Sequence, residues 1–154
     1  MQIVIDSREQ QPFHFVGEAY PDTTTAAGTL TVGDYSLAGL EKLIAIERKS
    51  LADLVMCLGR ERERFDRELQ RGRALDFFAV VCEGAWRDLV SGNYRGQLGI
   101  KSAVQSVAAF MSRYRIPFFF AESRKAAEYI TWSWLKQYAQ GKQHEYKAIA
   151  QAIA

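Results

Sequence analysis

Short apolar runs, separated by polar and helix-forming segments, recur along the whole chain. Runs rich in Val, Ile and Phe indicate buried strands, and we predict strands over residues 2–6, 29–32, 35–37, 43–46, 77–82 and 116–120. Apolar residues at helical spacing predict helices that begin after Ser50, cover 60–72, 86–90, 100–114 and 124–138, and resume from 144 to 154. This order indicates an α/β fold with a mixed central β-sheet flanked by α-helices on both faces.

The two longest helical patterns have apolar faces that predict how they pack. For the helix over 100–114, the predicted core residues are Ile100, Ala103, Val104, Val107, Met111 and Tyr114. For the helix over 124–138, they are Ala127, Ile130, Trp134 and Tyr138. Tyr129 and Trp132 fall outside that face, so they either form a partner surface or pack against the last segment. Gly141 is expected to end the regular pattern, which divides the chain into a domain over 1–140 and a helical tail over 141–154.

Length and composition are those of one globular domain. The 154 residues are 48% hydrophobic and 25% charged, which are ordinary values, and a net charge of +2 says little about partners. Cys57 and Cys82 lie in apolar surroundings without metal-ligand spacing, so buried thiols are expected. No run reaches the roughly 18 apolar residues of a membrane span, and no signal peptide opens the chain. We expect a cytoplasmic protein, associated with the nucleoid of a bacterial or phage-infected cell.

Charged side chains that follow the strand over 43–46 give the first indication of chemistry. Glu47, Arg48 and Lys49 stand side by side there. Because side chains alternate along a strand, Glu47 and Lys49 share one face and Arg48 points to the other. A carboxylate at the end of a buried strand is costly unless a partner binds it, and a divalent cation is the natural partner. A hairpin through the strand over 35–37 would bring Asp34 beside Glu47 as a second ligand.

The end of the first strand carries further candidates. Asp6 closes this strand, and Arg8 and Glu9 follow it. Asp6 is either a residue of the same site or a local partner of Arg8. If it belongs to the site, Arg8 and Glu9 lie at its border.

Two more carboxylates follow other elements of the predicted sheet and helices. Asp53 stands three residues after Ser50, which is the spacing of a helix N-cap. It either completes the cap, serves the site, or does both, since a helix N-terminus also attracts phosphate. Glu83 follows the strand over 77–82 and is either a further carboxylate of the site or a loop residue.

Arginine dominates the segment directly after the acidic motif. At about 100° per residue, Arg60, Arg64, Arg67 and Arg71 fall within one stripe of the predicted helix. Such a stripe is either a solvated face with ion pairs along the helix or a contact surface for a phosphate backbone. We favour phosphate contact, with Arg60 and Arg64 as its first candidates.

A glycine-rich loop over 91–99 adds a smaller set of candidates for nucleic-acid contact. It contains Tyr94 and Arg95, and Lys101 lies on the outer face of the next helix. A plain surface turn explains these residues equally well.

Three motifs, taken in order, resemble one enzyme family. They are Val4-Ile5-Asp6-Ser7-Arg8-Glu9, then Gly33-Asp34-Tyr35, then Ile46-Glu47-Arg48-Lys49-Ser50 with Asp53-Leu54. Together they resemble the nuclease domain of the XPF family of structure-specific endonucleases, an ERCC4-type domain of the PD-(D/E)xK nuclease superfamily. The signature of that family is Gly-Asp followed by Glu-Arg-Lys-x-x-x-Asp. The resemblance extends over about residues 2–135.

The resemblance implies a restriction-endonuclease-like fold and a metal-dependent DNA endonuclease that acts on branched, flapped or forked DNA. It implies Mg²⁺ or Mn²⁺ bound by Asp34 and Glu47, with Lys49 orienting the attacking water and Arg48 functional as well. Asp6 is a further candidate ligand, Asp53 a catalytic candidate, and the secondary metal candidates are Glu9, Asp53 and Glu83. The candidates for DNA contact are Arg8, Arg60, Arg64, Arg67, Tyr94, Arg95 and Lys101.

One departure from the family pattern and one alternative function remain. Eukaryotic members carry a tandem helix-hairpin-helix module after the nuclease domain, and the residues after Gly141 are too few for one. We therefore expect a stand-alone domain. It would select its substrate alone, as a homodimer, or with another chain.

The alternative function is that of a catalytically silent module that binds DNA or a partner. Because Asp34, Glu47 and Lys49 are all present, we favour the active enzyme; cleavage of RNA stays open.

Overall fold

The computed structural model describes residues 1–153 as a mixed α/β fold. The six strands are β1 (Gln2–Asp6), β2 (Thr24–Gly28), β3 (Tyr35–Leu37), β4 (Ile44–Lys49), β5 (Phe77–Cys82) and β6 (Phe118–Phe120). The five helices are α1 (Leu51–Leu58), α2 (Arg62–Gly72), α3 (Trp86–Ser91), α4 (Ile100–Tyr114) and α5 (Arg124–Ala152).

All six strands form one sheet in the order β2-β1-β3-β4-β5-β6. Strand β3 is antiparallel to both of its neighbours, β1 and β4, whereas β1–β2, β4–β5 and β5–β6 are parallel pairs. The carboxyl ends of β1, β4 and β5 therefore lie at the same edge of the sheet as the start of β3. The predicted fold class, an α/β domain with a mixed sheet flanked by helices, is confirmed.

Each face of the sheet has its own hydrophobic core. On one face, Ala45, Val80 and Cys82 pack with buried residues of α1, α2 and α4. On the other, Ile44 and Ile46 pack with α5 and with residues 13–20. The alternation along β4 thus places consecutive residues in different cores, and the same alternation continues into its charged end.

The predicted strand over 29–32 is wrong. The strand lies earlier, at β2, which pairs in parallel with β1 along its whole length. Leu30 and Val32 are buried nonetheless, because they pack in the connection between β2 and β3. The backbone N–H of Leu30 donates to the Asp6 carboxylate at 2.7 Å, so its main chain is satisfied without a strand partner.

Most of the other predicted strands agree with the structure and differ only at their ends. Those over 2–6, 35–37 and 77–82 are confirmed. Strand β4 begins at Ile44 and reaches Lys49, and the side chain of Leu43 is exposed. Strand β6 begins after Pro117, which has no N–H with which to extend the pairing.

Helix α4 has the predicted bounds but a different buried face. Ile100 and Met111 are exposed, whereas Ser106 and Phe110 are buried with Ala103, Val107 and Tyr114. The buried face is rotated about the helix axis relative to the predicted one, because Phe110 packs edge-on against Phe65 of α2, with ring centroids 5.8 Å apart. The position of α2 therefore decides which side of α4 is covered.

Helix α5 differs from the prediction in length and in its buried residues. It continues through Gly141 to Ala152, since an exposed glycine costs a helix only about 1 kcal/mol and strong helix formers surround it. Neither alternative given for Trp132 is correct: it is 6% exposed, and its Nε1–H donates to Thr23 Oγ1 at 2.9 Å. Trp132 packs on Tyr20, not on the last segment, whereas Tyr129 remains half exposed.

Among residues 1–153, no helix combines the length and the apolar character that a membrane crossing requires.

Candidate active site

Backbone hydrogen bonds bring the acidic motifs together at one edge of the sheet. The N–H of Asp6 donates to the carbonyl of Asp34 at 2.8 Å, and the N–H of Asp34 donates to the carbonyl of Ile46 at 2.9 Å. On the other side of β4, the N–H of Glu83 donates to the carbonyl of Lys49 at 2.9 Å. The hairpin predicted between Asp34 and β4 is therefore present.

Gly33 makes the close approach of Asp34 to β4 possible. Its φ is +79°, a conformation that favours glycine, and a Cβ at this position would lie 2.8 Å from the Cβ of Ala45 and 3.2 Å from the carbonyl oxygen of Ile46. Because Gly33 has no side chain, the backbone of Asp34 can lie close to β4, with the Asp34 carboxylate near Glu47.

Asp34 and Glu47 form a pair of poorly solvated carboxylates. Asp34 Oδ2 accepts a hydrogen bond from the backbone N–H of Arg48 at 2.7 Å, and Glu47 is only 3% exposed. Burial raises the pKa of Asp34 to about 7, despite the opposing effect of the Arg48 N–H and of Lys49. Burial and the nearby charge of Asp34 also raise the pKa of Glu47. Burial is therefore the main cause of both shifts, and the positive charge of Lys49 offsets it only in part.

Lys49 lies on the same face of β4 as Glu47. Its ammonium is hydrogen-bonded to Glu47 and lies 5.6 Å from the centroid of the Phe65 ring on α2. Burial alone would lower the pKa of Lys49, but the carboxylates of Glu47 and Glu68 outweigh it and raise the pKa. Lys49 is therefore a charged donor held within the acidic pair.

Arg48 points to the opposite face, as the alternation predicts. Its Nε donates to Glu83 at 2.8 Å, and its guanidinium lies 3.5 Å from Glu9. Glu83 also accepts from Arg124 of α5 at 2.7 Å, and both arginines lie over the ring of Phe13. In this structure Glu83 is thus shared by two guanidinium groups on the face behind Glu47 and Lys49.

Asp6 is held by donors from two directions. Its carboxylate accepts from the backbone N–H of Arg8 at 2.9 Å, from the Arg8 Nε at 2.7 Å and from the N–H of Leu30 at 2.7 Å. The Arg8 side chain is the main cause that lowers the pKa of Asp6 to about 2. The local pairing of Asp6 with Arg8 is thus present, and Asp6 lies beside Asp34; its role in the site stays a prediction.

Ser50 and Asp53 cap helix α1. Ser50 Oγ accepts from the N–H of Asp53 at 3.1 Å and donates to Asp53 Oδ2 at 2.6 Å. The predicted N-cap is confirmed. Asp53 is exposed, and it also borders the cavity in front of Lys49.

Two open cavities meet at the acidic pair. The larger site cavity, of about 580 Å³, extends toward residues 9–11 and the start of α1. The smaller site cavity, of about 370 Å³, extends toward residues 31–33 and α2. The residues that line both are Arg8, Asp34, Glu47, Lys49 and Arg64. The two cavities therefore adjoin each other at the acidic pair, with basic residues at their border, and together they are called the groove below.

The predicted arginine stripe is divided by the structure. Arg64 borders both site cavities and Arg71 borders the smaller one. Arg60 and Arg67 line neither; they line a neighbouring hollow, which shares Glu61 and Arg64 with the larger site cavity. The division arises because α2 begins at Arg62, so Arg60 lies in the turn before the helix. The side chain of Arg64 is paired with Glu61.

The other candidates for nucleic-acid contact lie away from the groove. Tyr94 packs against the core, and its hydroxyl donates to the carbonyl of Leu98 at 2.8 Å. Arg95 and Lys101 are exposed and line neither site cavity.

Sequence reasoning missed Glu68, which lines the smaller site cavity with Asp34, Glu47 and Lys49. Its nearby carboxylate helps to raise the pKa of Glu47. The available signal was its spacing, four residues after Arg64 and three before Arg71, which places it on the helix face that borders the site.

The donor set of the acidic pair fits a hard divalent cation. Within residues 1–153, no three His, Cys, Asp or Glu side chains are grouped so that they could share an ion. Mg²⁺ is commonly bound through one or two carboxylates while it keeps several waters. Asp34 and Glu47 supply two carboxylates that line the same cavities, which matches this donor set.

Comparison with known proteins identifies the family and the fold of this chain. A family model described as the ERCC4 domain matches residues 5–131. The chain belongs to the ERCC4 domain family. The structure of XPF from Aeropyrum pernix superimposes on this ERCC4 domain with a TM-score of 0.70 at 20% identity, covering 89% of this chain and 61% of that chain. XPF from Aeropyrum pernix in complex with DNA superimposes with a TM-score of 0.65 at 20% identity, covering 91% and 66%.

At 20% identity, the similarity shows that this chain and XPF from Aeropyrum pernix share a fold. The ERCC4 domain described here spans about three-fifths to two-thirds of the length of the XPF chains it matches. A comparison with curated proteins gave no match.

Proposed function

We propose that this ERCC4 domain is a metal-dependent DNA endonuclease. The observation that carries the proposal is the meeting of Asp34, Glu47 and Lys49 in a groove bordered by Arg8 and Arg64. Family membership supports the same function, because ERCC4-type domains include structure-specific nucleases.

In the proposed mechanism, Asp34 and Glu47 would hold Mg²⁺ or Mn²⁺. Such a cation would supply Lewis-acid chemistry, polarising a phosphodiester and making a water more acidic. Lys49 orients the attacking water and donates hydrogen bonds to the phosphate oxygens, where negative charge develops. Ser50 is occupied as a helix cap and has no histidine partner, which supports attack by water over a covalent serine intermediate.

The groups around this centre hold it in place. Asp6 orients Arg8, which borders both cavities and would contact a phosphate of the bound strand. Arg48 fixes the end of β4 from behind through Glu83 and Glu9. Because the oxygens of Asp6 and Glu83 already accept from arginines, we assign them to positioning and leave the cation to Asp34 and Glu47.

DNA is the proposed substrate because the groove combines phosphate-binding arginines with a hydrolytic centre, and because XPF from Aeropyrum pernix has been solved with DNA. A preference for branched, flapped or forked DNA follows from the family resemblance, as does a homodimer. Both remain proposals for this chain.

The function is tested by incubating the protein with labelled flap, fork, duplex and single-stranded DNA, and with a matched RNA. Each substrate is tried with Mg²⁺, with Mn²⁺ and with excess chelator. We expect cleavage that depends on the cation and is fastest on a branched DNA. Absence of cleavage in every combination, with folded protein that binds DNA, would instead support the silent binding module.

A further inference from the structure

Helix α2 brings a third carboxylate to the acidic pair. Glu68 lines the smaller site cavity together with Asp34, Glu47 and Lys49. It lies on the same helix as Phe65, whose ring packs 5.6 Å from the Lys49 ammonium. The helix thus positions both a packing surface and a negative charge for Lys49.

Lys49 shares its partner with the proposed cation. Among residues 1–153, Glu47 is the one hydrogen-bond acceptor of the Lys49 ammonium, although an ammonium has three donors. When Glu47 binds a divalent cation, its charge is taken up by that ion, and the like charges of the ion and Lys49 repel each other. Lys49 then needs another carboxylate if it is to stay beside Asp34 and Glu47.

Glu68 is positioned to supply this second carboxylate to Lys49. It lines the smaller site cavity together with Lys49 and Glu47, and it is half-buried, so solvent screens its charge only in part. Its carboxylate is one of the groups that raise the pKa of Lys49. A small rotation of the flexible lysine side chain would transfer the ammonium from one carboxylate to the next.

We propose that Glu68 is a positioning residue that holds the Lys49 ammonium in place while Glu47 binds the catalytic cation. This inference rests on the proposed function and adds a residue that lies outside the three sequence motifs. Glu68 acts through Lys49 and does not ligate the ion, in keeping with the absence of any grouping of three ligating side chains within residues 1–153.

The test compares the wild-type protein with Glu68→Gln and with Glu63→Gln. Glu63 lies on the exposed face of the same helix, so this variant is a matched control for the loss of one negative charge. Steady-state cleavage gives kcat and KM, and calorimetric titration gives the affinity for Mn²⁺. We expect Glu68→Gln to lower kcat by about 10- to 100-fold and to leave KM and Mn²⁺ affinity unchanged, whereas Glu63→Gln behaves as the wild type. A merely structural role would lower the melting temperature without this separation of kcat from KM.

Two results would overturn the proposal. An unchanged kcat in Glu68→Gln would show that Lys49 does not need this carboxylate. A loss of Mn²⁺ affinity as large as that caused by Glu47→Gln would make Glu68 a cation ligand.

A crystal structure of the wild-type protein with Ca²⁺ gives a readout that does not depend on cleavage. A hydrogen bond from Lys49 Nζ to Glu68 supports the proposal, and an ammonium turned away from Glu68 overturns it. A wild-type protein that shows this hydrogen bond and cleaves no substrate would contradict the proposed function and still support the role of Glu68.

Discussion

The side chains of three consecutive residues, Glu47, Arg48 and Lys49, have different surroundings because they alternate across β4. Glu47 and Lys49 join the acidic pair, while Arg48 is compensated behind the strand by Glu9 and Glu83. The carboxylates in front repel each other and are poorly solvated, whereas the charges behind are balanced. Poorly solvated ionisable groups with shifted pKa values are therefore confined to the front of the strand, as is common for functional sites.

Removal of the charge of Asp34 should show how much this poorly solvated carboxylate destabilises the folded protein. The ordinary pKa of an aspartate is 3.8, and that of Asp34 is about 7, so between these values the folded state keeps a proton that the unfolded state releases. The stability of the cation-free protein should therefore fall as the pH rises from about 4 to about 7, by up to about 4 kcal/mol. Asp34→Asn remains neutral and still accepts from the Arg48 N–H, so we expect a higher melting temperature than wild type at pH 8 and a small difference at pH 4.

Thermal denaturation in chelator at both pH values checks this prediction. Asp22→Asn is the control, because Asp22 is an exposed carboxylate. Addition of Mg²⁺ at pH 8 should stabilise the wild type and the control but not Asp34→Asn. A variant that is less stable than the wild type at pH 8 would show that ionised Asp34 stabilises the fold.

At the scale of elements, the orientation of α2 determines which basic residues face the site. The chain turns at Gly59, between α1 and α2. Arg64 and Arg71 consequently border the site cavities, whereas Arg67 points into a separate hollow. Helical spacing predicted one stripe, because the turn and the packing of Phe65 against α4 cannot be derived from periodicity alone.

Measurements of DNA affinity should distinguish Arg64 and Arg71 from Arg67. In Ca²⁺, we expect the double variant Arg64→Ala/Arg71→Ala to bind DNA about tenfold more weakly than wild type, with a salt dependence reduced by about one to two phosphate contacts. Arg67→Ala, on the same helix, is the matched control and should keep both affinity and salt slope. Fluorescence anisotropy at several salt concentrations measures both quantities.

The reverse result would assign the contact surface differently. If Arg67→Ala weakened binding as much as the double variant and flattened the salt slope, DNA would lie along the outer hollow and not in the groove.

Helix α5 shows where sequence patterns are insufficient. The N-cap at Ser123 is confirmed, with Ser123 Oγ accepting from the N–H of Ala126 at 3.1 Å. Its predicted face of Ala127, Ile130, Trp134 and Tyr138 does pack against the core. The burial of Trp132 was missed, because Trp132 packs on Tyr20 and Thr23, which are more than a hundred residues away in the chain. Contacts of such long range have no local periodic signal.

For the whole molecule, the sheet topology explains why three separated motifs form one site. The acidic residues follow β1, precede β3 and end β4, and these ends meet at one edge of the sheet. This part could be predicted, since each motif adjoins a strand with a clear apolar pattern. The short polar strand β2 could not be predicted, because it lacks an apolar pattern. The contribution of Glu68 could not be predicted either, because it depends on how α2 packs on the sheet.

The domain limits and the assembly remain proposals at this scale. We propose residues 1–140 as the nuclease domain and 141–154 as a tail, of which the described residues to Ala152 continue α5 without a break. The exposed side chain of Tyr129 is compatible with the proposed homodimer, whereas the buried Trp132 is not part of such a surface.

The most direct test of the acidic pair is calorimetric titration of Mn²⁺ into the wild-type protein and into Glu47→Gln, a variant that keeps the size of a buried side chain and removes its charge. We predict saturable binding to the wild type and an affinity at least about tenfold lower in the variant, equivalent to about 1.4 kcal/mol. Equal affinities for two folded proteins would contradict the assignment of Glu47 as a cation ligand and, with it, the proposed mechanism.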